Sequence, residues 1–239
     1  MNISPEEKLM YKVMEAVYLS GIPISFKGSM VLKACLAEAG YKEDVRHTVD
    51  IDGNWYSESM PTSNQIVEAL QNALDKQGIE LDVVVYRMYG ERRSAGFELL
   101  DRKTWETLFT MDIDVNRAYT IKKLYEIDNV RFRGAAPVQI TADKLYVVSS
   151  DLVFRRIKDV VDLYYISSVF HFEREEIIQV LENSERILGD FDGFINRKDE
   201  LRHSYEKFRF SGNVNKPKFN EIYESVKQLV ESYIPKYGM

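Results

Sequence analysis

The sequence holds one cysteine, Cys35, in 239 residues, so no disulfide forms within the chain. Its three histidines, His47, His171 and His203, share no ligand spacing, which argues against a zinc centre. Six prolines and twelve glycines are too few for a fibrous or low-complexity chain. No apolar run approaches the ~20 residues that span a bilayer. The first residues, Met1 to Glu7, lack the basic start and apolar stretch of a signal peptide, so a cytoplasmic protein with no membrane partner is expected. An excess of basic residues is also missing. The net charge is −6, which disfavours wholesale coating of nucleic acid.

What is present suits a globular chain of one or two domains, with 45% hydrophobic and 12% aromatic residues. Ser4-Pro5-Glu6-Glu7 is a helix start, with a capping serine, proline at the first position and acids in the first turn. Apolar residues then recur at helical spacing as far as Val17. Ile22 to Phe26 reads as a short strand, 29–39 and Ser63 to Lys76 as helices, and Thr48 to Tyr56, Ile79 to Met88, Ala95 to Asp101 and Leu108 to Val115 as strands. From Thr141 onward the pattern is helical, over 141–149, 151–169, 173–184, 193–209 and 218–233. The chain therefore divides into an α/β part, 1–140, and a helical part, 141–239. Cys35 reads as a small buried hydrophobe, and Trp55 and Trp105 as packing residues.

The chemistry concentrates in Arg46-His47-Thr48-Val49-Asp50-Ile51-Asp52. On a strand, Asp50 and Asp52 point to the same side. Two like charges there call for a cation, and hard carboxylate oxygens suit Mg²⁺. Upstream, Phe26-Lys27-Gly28-Ser29 forms a small-residue turn at a helix mouth, able to offer backbone N–H groups to phosphate. Further on, Asp112 and Asp114 again share one face of a strand. In 151–169, Arg155, Lys158, Asp159 and Asp162 fall in one polar stripe opposite Val153, Ile157, Val160, Val161 and Tyr164. By periodicity alone that stripe is solvated, with Arg155–Asp159 and Lys158–Asp162 as neighbouring pairs. Residues 197–218 carry seven basic against three acidic side chains, interleaved with Tyr205, Phe208 and Phe210. A solvated face over core aromatics outweighs a strand-binding surface there.

Phe-Lys-Gly-Ser at 26–29 followed by Arg-x-Thr-x-Asp-x-Asp at 46–52 resembles the first motif of the AbiEii/AbiGii nucleotidyltransferase toxins, of the DNA polymerase β-like superfamily. Ala142-Asp143-Lys144-Leu145 and then Lys158-Asp159-Val160-Val161-Asp162-Leu163-Tyr164 resemble the family's later lysine motif and its Lys-Asp helix. Two departures stand out: the longer interval from Ser29 to Asp50, and a Gly-Ser turn in place of Gly-Gly-Thr. The resemblance implies an α+β fold, a polymerase β-like mixed sheet flanked by helices and followed by a C-terminal helical bundle. It implies transfer of NMP from an NTP to an acceptor hydroxyl through a two-metal Mg²⁺ site, in which metals ~4 Å apart stabilise the attacking and leaving oxygens. Asp50 and Asp52 would hold the metals, and Asp114 would be the third carboxylate, with Asp112 in reserve and Asp82 behind it. Gly28, Ser29, Lys144 and Arg46 would bind the nucleotide, and Lys158 and Asp159 would be catalytic groups facing it, braced by Asp162. The plainer role for Arg46 is to pair with a nearby acid and hold the metal strand. The implied partners are NTP, an RNA acceptor such as a tRNA 3′ end, and an antitoxin encoded nearby. The rivals are an antibiotic nucleotidyltransferase and a non-catalytic nucleotide- or antitoxin-binding protein on the same fold.

Overall fold

The computed structural model describes residues 2–89, 94–115, 120–210 and 215–234. The chain groups into two compact units, one formed by 1–38 and 47–136, the other by 39–46 and 137–239. Segment 39–46, a loop following a helix of the first unit, joins the second, and the helical part starts at Pro137.

In the first unit, α1 (Pro5–Leu19) begins with the expected reciprocal cap between Ser4 and Glu7. It is followed by β1 (Ile24–Lys27), α2 (Gly28–Glu38), β2 (Asp50–Trp55) and α3 (Ser63–Lys76). Then come β3 (Leu81–Tyr89), β4 (Ser94–Asp101), β5 (Thr107–Asp114), β6 (Lys122–Ile127) and β7 (Val130–Ala135). The seven strands form one mixed sheet in the order β3-β4-β5-β2-β1-β7-β6. The pairs β2–β5 and β1–β7 are parallel, the other neighbours antiparallel. Alternation divides its faces. Phe26, Ile51, Phe97, Met111, Ile113 and Phe132 are buried, and α1, α2 and α3 pack on the sheet. The alternate positions of the central strands, Lys27, Asp50, Asp52, Asp112 and Asp114, form the polar face.

The β6–β7 hairpin was not foreseen. Its turn, Asp128-Asn129, places both residues at positive φ, 50° and 63°, as a two-residue hairpin of matching twist requires. Trp105, expected to pack, is 66% exposed, because it lies at φ 61° in the β4–β5 turn and projects outward. Cys35 is buried as expected, and burial pushes its thiol up to about 12. His47 Nδ1 lies 2.8 Å from buried Glu7, which also takes Lys33 Nζ at 2.6 Å.

The second unit holds α4 (Pro137–Val148), a 3-10 turn (Val153–Arg156), α5 (Ile157–Ser167), α6 (Arg174–Glu182), α7 (Asp192–Asn196), α8 (Lys198–Lys207) and α9 (Phe219–Tyr233). The single helix expected over 193–209 breaks at Arg197, whose ψ of 38° leaves the helical region. Helix α4 packs on α5 and α6, and α5 on α9. No helix among the described residues is long and apolar enough to cross a membrane.

Candidate active site

Strand β1 ends at Lys27, and the chain turns at Gly28 (φ +72°) directly into α2. A Cβ at residue 28 would overlap the Asp52 carboxylate oxygen, so only glycine lets this backbone lie against the acid. The register explains the closeness: Lys27 pairs with Asp52 across β1–β2. The expected phosphate turn and Asp-Ile-Asp are thus neighbours. Gly28→Ala should lose activity and destabilise the first unit by ~1–3 kcal/mol, through left-handed strain and displacement of Asp52. Thermal unfolding and turnover of the variant check this together; an unchanged melting temperature with full activity would contradict it.

Across β2–β5, Asp52 pairs with Asp112, Asp50 with Thr110 and Asn54 with Asp114. Partners in register point to the same side, so Asp50, Asp52, Asp112 and Asp114 share the polar face. Thr48 Oγ1 donates to Asp50 Oδ1 at 2.5 Å. Among the described residues, Lys27 and Arg87 meet these acids. Lys27 Nζ bonds Asp114 Oδ2, and Arg87 Nη2 lies 3.2 Å from Asp112 Oδ2. Burial raises the pKa of Asp112; Arg87 and Lys27 oppose the rise, while the Asp50 and Asp114 charges add to it. Neither Lys27 nor Arg87 was among the sequence candidates. Lys27 stood in the quoted motif, but its role emerges only from strand register. Asp82 lies on β3, bonded to Arg102 Nε at 2.9 Å, away from these strands.

The donor set suits Mg²⁺, being oxygen and anionic. Among the described residues no three carboxylate, imidazole or thiol groups converge as a ready cage.

The remaining candidates lie in the second unit. Asp159 and Asp162 are 4% and 1% exposed, so the solvated stripe that periodicity alone suggests does not form. Arg155 and Arg156 belong to the 3-10 turn instead, and only Lys158 of α5 faces outward. The pairs expected at a spacing of four are replaced by Arg46, Lys144 and Arg156 as partners. Arg46 grips Asp162 with Nε and Nη2, both at 2.9 Å. Lys144 Nζ meets Asp159 Oδ1 at 2.9 Å and Asp162 Oδ2 at 2.7 Å, and Arg156 Nε approaches Asp159 Oδ2 at 3.0 Å. Burial opposes ionisation of Asp162, yet Arg46 and Lys144 outweigh it and hold its carboxyl at about 2. Burial likewise opposes charge on Lys144, and Asp162 and Asp159 more than restore it. Arg46 therefore does pair with an acid, one 116 residues away.

The basic aromatic stretch mostly serves packing. Tyr205 is buried against Phe210 and Phe219. Arg197 pairs with Glu200, Lys198 with Glu224, and Lys216 donates to the Tyr205 and Phe208 carbonyls.

With this geometry in view, the chain was compared with known proteins. It superposes on MenT4, a nucleotidyltransferase toxin from Mycobacterium tuberculosis H37Rv, with a TM-score of 0.51 over 96% of this chain and 92% of that one, at 11% identity. The chain has a nucleotidyltransferase fold. An antigenic nucleotidyltransferase-like protein from Paracoccidioides brasiliensis aligns at a TM-score of 0.43 and 13% identity, over 96% of this chain and 93% of that one. No family model matches the chain, and no curated protein does. The mixed sheet flanked by helices is the nucleotidyltransferase-like architecture anticipated from the motifs.

Proposed function

We propose that this protein is a Mg²⁺-dependent nucleotidyltransferase of the AbiEii type, a toxin of a type IV toxin–antitoxin or abortive-infection pair, which transfers NMP from an NTP to a hydroxyl of an RNA acceptor such as a tRNA 3′ end. One observation carries the reading: the Gly28 backbone lies against Asp52, on a sheet face that also presents Asp50 and Asp112. The N–H groups of Gly28 and Ser29, at the mouth of α2, bind the terminal phosphates. Asp50 and Asp52 hold Mg²⁺, which when bound offsets charge on the attacking and leaving oxygens.

Asp112 takes the third-carboxylate place, in preference to Asp114, because its register position is directly beside Asp52. It orients the acceptor hydroxyl and draws off its proton. Asp114 holds Lys27 against the same face. In the second unit Lys158 is exposed and takes the nucleotide-facing role that the resemblance implies, whereas Lys144 and Asp159 are buried and paired with each other, which takes Lys144 away from the triphosphate.

The test is incubation of purified protein with α-labelled NTPs, Mg²⁺ and total RNA. Label should enter RNA and a chelator should stop it. Absence of transfer from all four NTPs, with metal-dependent NTP binding intact, would favour the non-catalytic rival and end this reading. Transfer to an aminoglycoside but not to RNA would select the antibiotic-modifying rival.

A further inference from the structure

The polar face of the sheet does not stop at the carboxylates. Tyr56, just beyond β2, has the same parity as Asp50, Asp52 and Asn54, and its backbone N–H bonds the Pro23 carbonyl. It is 37% exposed. Two cations converge on its ring. Lys122 Nζ lies 4.5 Å from the ring centroid and Arg133 Cζ 5.4 Å, while Arg133 Nη1 also bonds the Tyr56 hydroxyl. Arg133 is 5.6 Å from the Tyr18 ring as well. The register agrees with these contacts. Phe26 pairs with Gly134 on the buried side, so Arg133 is on the polar side, and Lys122 pairs with Ala135 there.

The hairpin's other cations are neutralised by acids: Arg131 by Glu126 and Lys123 by Glu38. Among the described residues Lys122 and Arg133 have no carboxylate partner; they take aromatic rings instead. In a chain of net charge −6, this is a local pair of uncompensated positive charges around an exposed ring. A ring offers a stacking surface to any base, and flanking cations meet the phosphates on either side.

We infer that Tyr56, Lys122 and Arg133 form a docking patch for a single-stranded polynucleotide, with a base stacked on Tyr56. On the reading proposed above, that strand is the acceptor. Tyr56 is four steps along the chain from Asp52, about 13 Å at roughly 3.3 Å per residue.

The test is fluorescence anisotropy with a labelled oligoriboadenylate, an oligodeoxyadenylate of equal length and an RNA duplex. Tyr56→Ala should weaken binding of the single strand roughly 5- to 150-fold, the range for losing one stacked base. Tyr56→Phe, which keeps the ring, should stay within about twofold of wild type. Lys122→Glu with Arg133→Gln should weaken binding and flatten the salt dependence by about 1.4 in log–log slope, the value for two lost single-strand phosphate contacts. RNA bound more tightly than DNA identifies the strand as RNA, equal affinities identify either strand, and both support the patch. Preference for the duplex overturns it. Strand binding indifferent to all these substitutions also overturns it and leaves the surface to a protein partner. Failure here is separable from failure of the catalytic reading. Wild-type protein that binds strand in a Tyr56-dependent way but transfers no nucleotide sinks only the latter. Protein that transfers nucleotide with unchanged strand binding in Tyr56→Ala sinks only the former.

Discussion

Asp52→Asn should leave a folded protein that transfers nucleotide about 10²- to 10³-fold more slowly, the scale for removing one charge-stabilising group from a reaction centre. The substitution is nearly isosteric, so the Gly28 turn keeps its neighbour. It removes one negative charge from a face that also holds Asp50, Asp112 and Asp114. The loss should fall mainly on kcat at saturating NTP and Mg²⁺. Asp112→Asn should lose activity on the same scale, since its register position abuts Asp52. Asp114→Asn should lose less, because its carboxylate acts through Lys27. Steady-state kinetics on the three variants decides the assignment. An Asp114→Asn protein as slow as Asp52→Asn, beside a nearly normal Asp112→Asn, would return the third position to Asp114.

Asp162→Ala should cost the second unit about 3–5 kcal/mol, the penalty for leaving buried charge uncompensated. Asp162 is 1% exposed and is the partner of both Arg46 and Lys144, whose side chains are each 10% exposed. Without it, Arg46 loses a two-pronged bond and Lys144 keeps only Asp159. Denaturant unfolding should show the midpoint falling with little change of slope. A second measurement follows from acidity. The folded carboxyl of Asp162 lies at about 2, below the ~3.9 of an unfolded aspartate, so its contribution is complete above that unfolded value. It is lost as pH falls from about 4 toward 2. The gap between wild type and Asp162→Ala should therefore narrow over that window. A gap that is the same at pH 3 and pH 7 would contradict the assignment.

Much of the architecture was legible because it is local. The Ser4–Glu7 cap, the bounds of α3 and the alternation of β5 each depend on residues within a turn or two of one another. Asp50 and Asp52 could be placed on one side of a strand for the same reason. The β6–β7 hairpin escaped because its outward residues, Lys122, Leu124 and Glu126, blur the alternation, and its Asp-Asn turn is a weaker signal than Asn-Gly. The helical wheel of α5 misread Asp159 and Asp162 as solvated. A wheel sorts residues by polarity, and burial of an acid depends on which cations meet it.

By itself the sequence determined that a glycine turn precedes a same-face pair of acids, and that a lysine–aspartate helix follows. Those are facts of spacing, enforced by backbone periodicity. Tertiary structure alone decided that Gly28 lies against Asp52, that Asp112 stands beside Asp52 while Asp114 takes Lys27, and that Arg46 and Lys144 converge on Asp162. It also gathered Tyr56, Lys122 and Arg133, up to 77 residues apart, around one ring. Strand register and long-range ion pairing are settled by the packing of the whole sheet and bundle, and no short stretch of sequence encodes them.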